Sequence, residues 1–297
     1  MQTVYLYNEY FSFLPRLKKF FGKSGRGPEA VFSSLTKGLN ELGIDYQVNQ
    51  IASVPIDTAC VLSGVSALRW AIGQKQKGRV KKIIAGTNIV VTPDEVDGIL
   101  KSPEIDKILV PGLWVKDFYI SQAPELSSKI YIWAAGVDVP PAGDEKKEFD
   151  FLIFVKNYGP IFNAIIEYLE NKPYKFKVMA YGKFKQANYF EALKTAKYLI
   201  YLSESESQGL AMFEAWARNI PTLVWERGFM QYGKYRFEGT TATPYLTEQT
   251  GMKFKDFEEF KQVLPEFINK KFSPRQWVEN NATNRIAAQK YLEIINV

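Results

Sequence analysis

The sequence predicts an α/β protein of two lobes, and three observations carry that expectation. Strand-like and helix-like patterns alternate through the second half of the chain, 297 residues are enough for two domains of ordinary size, and a polar, turn-rich stretch separates the halves. In the second half, residues 149–155 (FDFLIFV) form a continuous apolar run that reads as a buried strand, and 160–170 reads as a helix. Residues 176–181 read as a strand, 187–196 as a helix, 198–202 (YLIYL) as a strand, 209–218 as a helix and 221–225 (PTLVW) as a further strand. Leu210, Phe213 and Ala217 share one stripe of the 209–218 helix. Such βαβαβ order predicts a parallel sheet covered on both faces, with ligands at the C-terminal strand ends.

In the first half, Val4 to Tyr7 is a strand pattern, and 28–42 is a helix entered through Gly27 and ended at Gly43. The stretch 139–148 (VPPAGDEKKE) has linker composition and follows Ala134-Ala135-Gly136-Val137-Asp138, where the lobe boundary is placed. The expected division is a first lobe over 1–135, a second over 136–275, and a terminal helical segment over 276–297 that starts from a capped Ser273-Pro274.

Composition narrows the chemistry. Apolar residues make up 46% and charged residues 24%, which is globular, and no apolar run reaches the roughly 18 residues of a membrane span. The start, MQTVYLYNEY, lacks the basic opening and apolar core of a secretory signal, so a cytoplasmic protein is expected. Cys60 is the single cysteine, which excludes an internal disulfide and a cysteine-rich metal site. Histidine is absent, which removes Ser-His-Asp and Cys-His nucleophiles, histidine bases and histidine metal sites. Chemistry is left to carboxylates, Lys, Arg, hydroxyls and backbone donors.

The stretch 203–225 (SESESQGLAMFEAWARNIPTLVW) holds the strongest functional signal. Glu206, Ser207, Gln208 and Gly209 lie in a loop after one strand and at the mouth of a helix. Amides at a helix start, including those of Ser207 to Leu210, point outward with the positive end of the helix dipole and suit an anion. Glu214 falls about one and a half turns into the helix, where its carboxylate can accept from a vicinal diol such as a ribose. The pattern fits a nucleotide sugar, with diphosphate on the helix mouth, ribose on Glu214 and sugar hydroxyls on Glu206.

Glu206, seven residues, Glu214, then Ala215-Trp216-Ala217 and the strand opened by Pro221, resembles the donor-binding signature of retaining GT-B glycosyltransferases of the "group 1", family 4-like class. That resemblance implies the GT-B architecture: two Rossmann-like lobes with parallel sheets facing across a cleft, the donor on the second lobe, and a terminal helix crossing back to the first, here partly through Trp277. It assigns Lys156, directly after FLIFV, to the diphosphate, although the family's second cation has no counterpart before Lys172. It places the turn Tyr181-Gly182-Lys183 near the base, and makes Lys183 either a donor contact or a plain exposed lysine. Trp225 and Glu226 fall where they can shape the base pocket. Where the family often has a histidine after a first-lobe strand, this chain has Thr87 and Asn88 after KIIAG, so Asn88 is an acceptor-side candidate.

Positive charge concentrates in the first half. Residues 11–27 carry Arg16, Lys18, Lys19, Lys23 and Arg26 without an acid, and 58–93 carry six more cations, again without an acid, against a whole-chain net of +6. The aromatic, basic segment from Phe11 to Phe21 fits an anionic membrane surface or a phosphate-bearing acceptor, or else packs its phenylalanines inward with wet lysines. Gly25-Arg26-Gly27 is a candidate for diphosphate or acceptor contact, or else turn chemistry. No nucleic-acid motif appears.

The function implied is transfer of a hexose from a nucleoside-diphosphate sugar to a hydroxyl of a glycan or lipid-linked acceptor in cell-surface polysaccharide or glycolipid synthesis. It needs no cofactor and no metal, since no Asp-x-Asp motif is present, and the enzyme works in the cytoplasm or peripherally on the inner membrane face. In the implied mechanism Lys156 and the 207–210 amides stabilise the departing diphosphate, Glu206 orients the sugar, and the acceptor attacks from the face the leaving group vacates. Alternatives are a nucleotide-sugar epimerase on the same fold, and a catalytically silent protein docking on membrane or polyanion.

Overall fold

The computed structural model describes residues 3–9, 26–51, 55–143 and 146–296. The chain divides into two compact units, Met1–Gly136 with Asn284–Val297, and Val137–Thr283.

The first unit runs β1 (Val4–Tyr7), α1 (Arg26–Glu41), β2 (Tyr46–Val48), β3 (Ile56–Ser63), α2 (Val65–Gln76), β4 (Val80–Asn88), β5 (Lys107–Val110), α3 (Leu113–Gln122) and β6 (Ile130–Ile132). Its strands form one parallel sheet in the order β2-β1-β3-β4-β5-β6. The chain winds outward in both directions from β1 and β3, which places a topological switch point at their C-terminal ends. Strand interiors are apolar because helices cover the sheet: Leu6, Tyr7, Ala59, Cys60, Val61, Ile83 and Ala85 are fully buried. Helix α1 ends as expected at Gly43, whose φ of 67° closes the last turn, with Ile44 N donating to Leu39 O at 3.0 Å.

The second unit runs β7 (Phe149–Val155), α4 (Pro160–Glu170), β8 (Phe176–Ala180), α5 (Gln186–Thr195), β9 (Ala196–Leu202), α6 (Leu210–Trp216), β10 (Thr222–Trp225), β11 (Phe229–Tyr232), β12 (Tyr235–Glu238), β13 (Gly251–Phe254), α7 (Phe257–Asn269) and α8 (Pro274–Asn281). Its parallel sheet has the order β13-β10-β9-β7-β8, and β11 and β12 form a separate antiparallel hairpin. Here the switch point lies between β7 and β9. One side of the sheet packs Phe154, Tyr189, Tyr201, Phe213 and Trp216 together, and the other packs Phe151, Ile153, Ile200, Phe254 and Phe260. Phe154 and Tyr201 stack at 5.0 Å with planes 7° apart.

The end of the chain departs from the expectation in one respect. The expected terminal segment from 276 is two helices, α8 and a final α9 (Asn284–Asn296), and the break comes at residues 282–283. Val137 N donates to Ala282 O at 2.9 Å and Val137 bridges Thr283, so that backbone serves the neck of the second unit instead of a continuous helix. Trp277 therefore stays with the second unit, edge-on to Phe213 at 5.5 Å and Trp216 at 5.2 Å. The segment that returns to the first unit begins at Asn284.

Helix α9 packs on α1 at Gly38. A Cβ there would fall on the Asn284 carbonyl oxygen and 2.7 Å from Ala288 Cβ, so backbone as well as side chain would have to move. Gly73, inside α2, has nothing within 4 Å of its Cβ position. Gly38→Ala should therefore destabilise the first unit by about 1–3 kcal/mol. Gly73→Ala should stabilise it by about 0.5–1 kcal/mol, and denaturant unfolding of both variants checks the pair.

Candidate active site

Three strand ends of the second unit bring the site together. Lys156 and Asn157 follow β7, Glu204 and Glu206 follow β9, and Glu226 follows β10. Lys156 Nζ lies 2.6 Å from Glu206 Oε1, and the same oxygen accepts from the Tyr201 hydroxyl at 2.8 Å. Glu206 is only 8% exposed, so its charge is held inside protein by a cation and a phenol together. Burial, then the neighbouring Glu206 carboxylate, raises the Tyr201 phenol well above its usual value, so it stays a protonated donor. The Lys156 ammonium also sits over the Tyr181 ring, 4.6 Å from its centre. Asn157 Oδ1 accepts from Glu204 N at 3.2 Å, which stitches the β7 and β9 exits.

The loop then turns into α6 through Gly209, whose φ of 85° and ψ of 48° are left-handed, a conformation that favours glycine. Ser207 is exposed, Gln208 and Gly209 are buried, and Leu210 begins the helix half-buried. Met212, Phe213, Ala215 and Trp216 anchor α6, and Trp216 Nε1 donates to Thr222 Oγ1 at 2.8 Å. The helix closes with Asn219 N donating to Trp216 O and Ile220 N to Ala215 O, with Asn219 at φ 60°, just before Pro221.

Glu214 lies on the half-buried face of α6, where its Oε1 accepts from Gln186 Nε2 at 2.7 Å. Part of its surface remains open, yet burial raises its carboxyl to about 7, against the weaker opposing pull of the Gln186 hydrogen bond and Arg218, with Asp138 adding a like charge. Arg218 stacks on Phe190 at 4.3 Å and donates to Glu214 O at 2.9 Å. Lys156 and Glu206 are thus in direct contact, whereas Glu214 belongs to a second cluster with Gln186.

The remaining sequence candidates are more scattered. Lys183 is exposed on the turn after β8, its amide bonded to Ala180 O at 3.0 Å. Trp225 turns aside, its Nε1 donating to Lys255 O at 3.0 Å. Asn88 ends β4 in the first unit, its side chain donating to Thr87 Oγ1 at 3.0 Å. Arg26 and Gly27 open α1, while Gly25 and the segment from Phe11 to Phe21 lie outside the described residues. In the basic stretch 58–93, Lys75 pairs with Asp106 at 2.5 Å and Lys81 with Asp57 at 3.2 Å, so acids from elsewhere in the unit offset part of its charge.

Tyr201, Asn157 and Gln186 join the site without having been singled out in the sequence, and Tyr181, expected near the base, instead lies against Lys156. Tyr201 carried one available signal, as one of the two hydroxyl-bearing residues, with Tyr198, in the run YLIYL. Among the described residues no group of three or more Cys, Asp or Glu side chains is arranged to hold a metal, and no helix is long and apolar enough to cross a membrane.

A raised carboxyl pKa gives a definite pH signature. The folded state binds the Glu214 proton more tightly than the unfolded chain, so folding stability falls as pH rises from the ordinary carboxyl value of 4.5 through about 7 and then levels. Glu214→Gln removes that slope. Its melting temperature should gain on the parent between pH 5 and 8, and a difference constant with pH would refute the assignment.

No protein-family model matches the sequence. No curated protein matches it either. Solved structures do match, at low identity. The lipopolysaccharide outer core galactosyltransferase WaaB, in apo form, aligns with a TM-score of 0.63 and 11% identity over 99% of both chains. A mutant of S. aureus TarM in complex with fondaparinux, alpha-GlcNAc-glycerol and UDP aligns at 0.54 and 12% identity, over 90% of this chain and 58% of that one. This chain thus spans less than two thirds of TarM. The UDP-GlcNAc 2-epimerase of Methanocaldococcus jannaschii, in complex with UDP-GlcNAc and UDP, aligns at 0.50 and 12% identity over 99% of both chains. The protein accordingly has the GT-B fold, with a Rossmann-like parallel sheet in each lobe.

Proposed function

We propose that the chain is a glycosyltransferase that moves a sugar from a nucleoside-diphosphate sugar to a hydroxyl of a glycan or lipid-linked acceptor, with retention at the anomeric carbon and without a metal. The observation that carries this reading is the Lys156–Glu206 pair at the switch point of a GT-B lobe, beside the helix mouth at Gly209. Switch points are where open α/β sheets bind their ligands. The solved relatives include a lipopolysaccharide galactosyltransferase and a TarM complex holding UDP, which supports the substrate class.

Without donor, the pair is neutral and Glu206 is compensated. An arriving diphosphate competes for Lys156, and the ammonium can turn to it while the Tyr201 hydroxyl continues to hold Glu206. Glu206 then has accepting capacity free for the sugar hydroxyls. As the sugar–phosphate bond breaks, charge grows on the leaving diphosphate, where Lys156 and the amides around Ser207, Gln208, Gly209 and Leu210 stabilise it. The acceptor hydroxyl attacks from that same face and its proton passes to the departing phosphate oxygen. Glu214 accepts from the ribose diol in its ionised form. Lys183 and Asn88 are assigned the edge of the donor site and the acceptor side respectively.

One structural match, aligned over 99% of both chains, is a UDP-GlcNAc 2-epimerase, which motivates a second reading. Product analysis separates the two, because a transferase yields a glycosylated acceptor plus free nucleoside diphosphate and an epimerase yields an isomeric nucleotide sugar. A silent docking protein yields neither product.

In a thermal-shift panel of UDP-, GDP- and ADP-sugars, one nucleotide should stabilise the protein. Lys156→Ala should weaken that nucleotide diphosphate by about 10–100-fold, as expected for loss of a charged hydrogen bond of about 1.5–3 kcal/mol. Affinity for the parent should strengthen as pH rises through about 7, where Glu214 ionises, and should lose that dependence in Glu214→Gln. No shift with any nucleotide would remove the enzymatic reading.

A further inference from the structure

We infer that Glu226 is a positioning residue for Glu206, acting through the turn at Thr241; the inference rests on the role just proposed for Glu206. Glu226 follows β10 and is fixed to the sheet by its own amide, which donates to Phe254 O at 2.7 Å. Its carboxylate receives two donors from one turn. Thr241 Oγ1 donates to Oε2 at 2.5 Å, and Ala242 N donates to Oε1 at 3.2 Å. The carbonyl of that same Thr241 accepts from Glu206 N at 3.0 Å. A chain of hydrogen bonds therefore runs from the β10 exit through the turn to the main chain of Glu206, whose side chain meets Lys156 and Tyr201.

The turn is also held by Ala242, which is buried in the core, and by Leu246 N donating to Thr243 O at 3.2 Å. Thr243 N donates to Thr241 Oγ1 at 3.0 Å, which again ends on the hydroxyl that Glu226 orients. The buried hydroxyls of Thr240 and Thr243 have no partner among the described residues. A carboxylate is the side chain suited to the task, because its two oxygens accept both donors at once. A glutamine presents only one accepting oxygen and turns its amide group toward the second donor. Glu226 is linked to the main chain of Glu206 through Thr241, so along this route its effect reaches the pair through backbone placement. A small shift of a group that must meet a reacting sugar is costly, on the order of 100-fold for about 1 Å.

The test combines kinetics with a readout that needs no donor. Glu226→Ala and Glu226→Gln should lower kcat of sugar transfer by about 10–100-fold and about 3–10-fold respectively, with a smaller change in KM for the nucleotide sugar. Thr241→Val, which keeps the backbone and removes the hydroxyl donor, should fall near the glutamine variant. In a Glu206→Ala background, Glu226→Ala should change the residual rate less than about 2-fold, since the group it positions is gone. Independently, the protein is labelled by reductive 13C-methylation of its lysines, and the Lys156 signal is assigned with Lys156→Arg. That signal should shift toward those of exposed lysines in Glu226→Ala and Thr241→Val. Additive effects in the double variant, or an unchanged Lys156 signal in both variants, would overturn the inference. A shifted Lys156 signal in a protein that neither binds nor turns over any nucleotide sugar would instead uphold the structural link and overturn the proposed reaction.

Discussion

The ion pair between Lys156 and Glu206 organises the second lobe's candidate site. Burying a carboxylate is costly unless it is paired and hydrogen-bonded, and Glu206 is both, through Lys156 and the Tyr201 hydroxyl. The pair is possible because β7 and β9 are neighbours in the sheet although separated in sequence by a βαβ crossover, which brings residue 156 alongside residue 206. The aromatic floor of Phe154, Tyr189 and Tyr201 keeps water away from one side of that contact, and Tyr181 lies under the lysine. In the proposed reaction the donor's diphosphate is the group that changes the pairing.

Around the pair, rigidity comes from connections between strand exits. Asn157 ties the β7 exit to Glu204, Arg227 pairs with Glu204 from the β10 exit, and Glu226 ties β10 to the turn that holds the Glu206 amide. The hairpin of β11 and β12 grows from the same exit, and its Phe229 ring lies within 3.8 Å of the Arg227 guanidinium and 4.0 Å of that of Arg236. Each link is a modest interaction, and together they fix a loop whose own sequence, rich in Ser and Glu, has little local preference for one conformation.

Much of this architecture was legible in the residues. Val4–Tyr7, Phe149–Val155 and Pro160–Glu170 have the expected bounds because apolar runs flanked by polar or turn residues carry a strong local signal. Gly43 and Gly209 mark their turns for the same reason, since a left-handed backbone favours glycine. The break at 282–283 was hidden because it depends on Val137, some 145 residues upstream, claiming a carbonyl. The hairpin at 229–238 was hidden by its mixture of tyrosines and charges, which follows neither helical nor strand patterning cleanly. Glu206, Glu214 and Lys156 were singled out from spacing and resemblance, whereas the residues they contact, Tyr201 and Gln186, were not. The Gln186 contact exists only once two segments 28 residues apart meet, and the Tyr201 contact, although it spans five residues, depends on how the loop after β9 folds back on the strand.

The central claim is that a donor diphosphate takes Lys156 away from Glu206. The most direct measurement is a crystal structure with the nucleoside-diphosphate sugar that stabilises the protein. The account predicts the Lys156 ammonium within hydrogen-bonding distance of a phosphate oxygen, Glu206 still bonded to Tyr201 and now accepting from a sugar hydroxyl. A bound nucleotide sugar lying elsewhere, with Lys156 and Glu206 still paired, would contradict it.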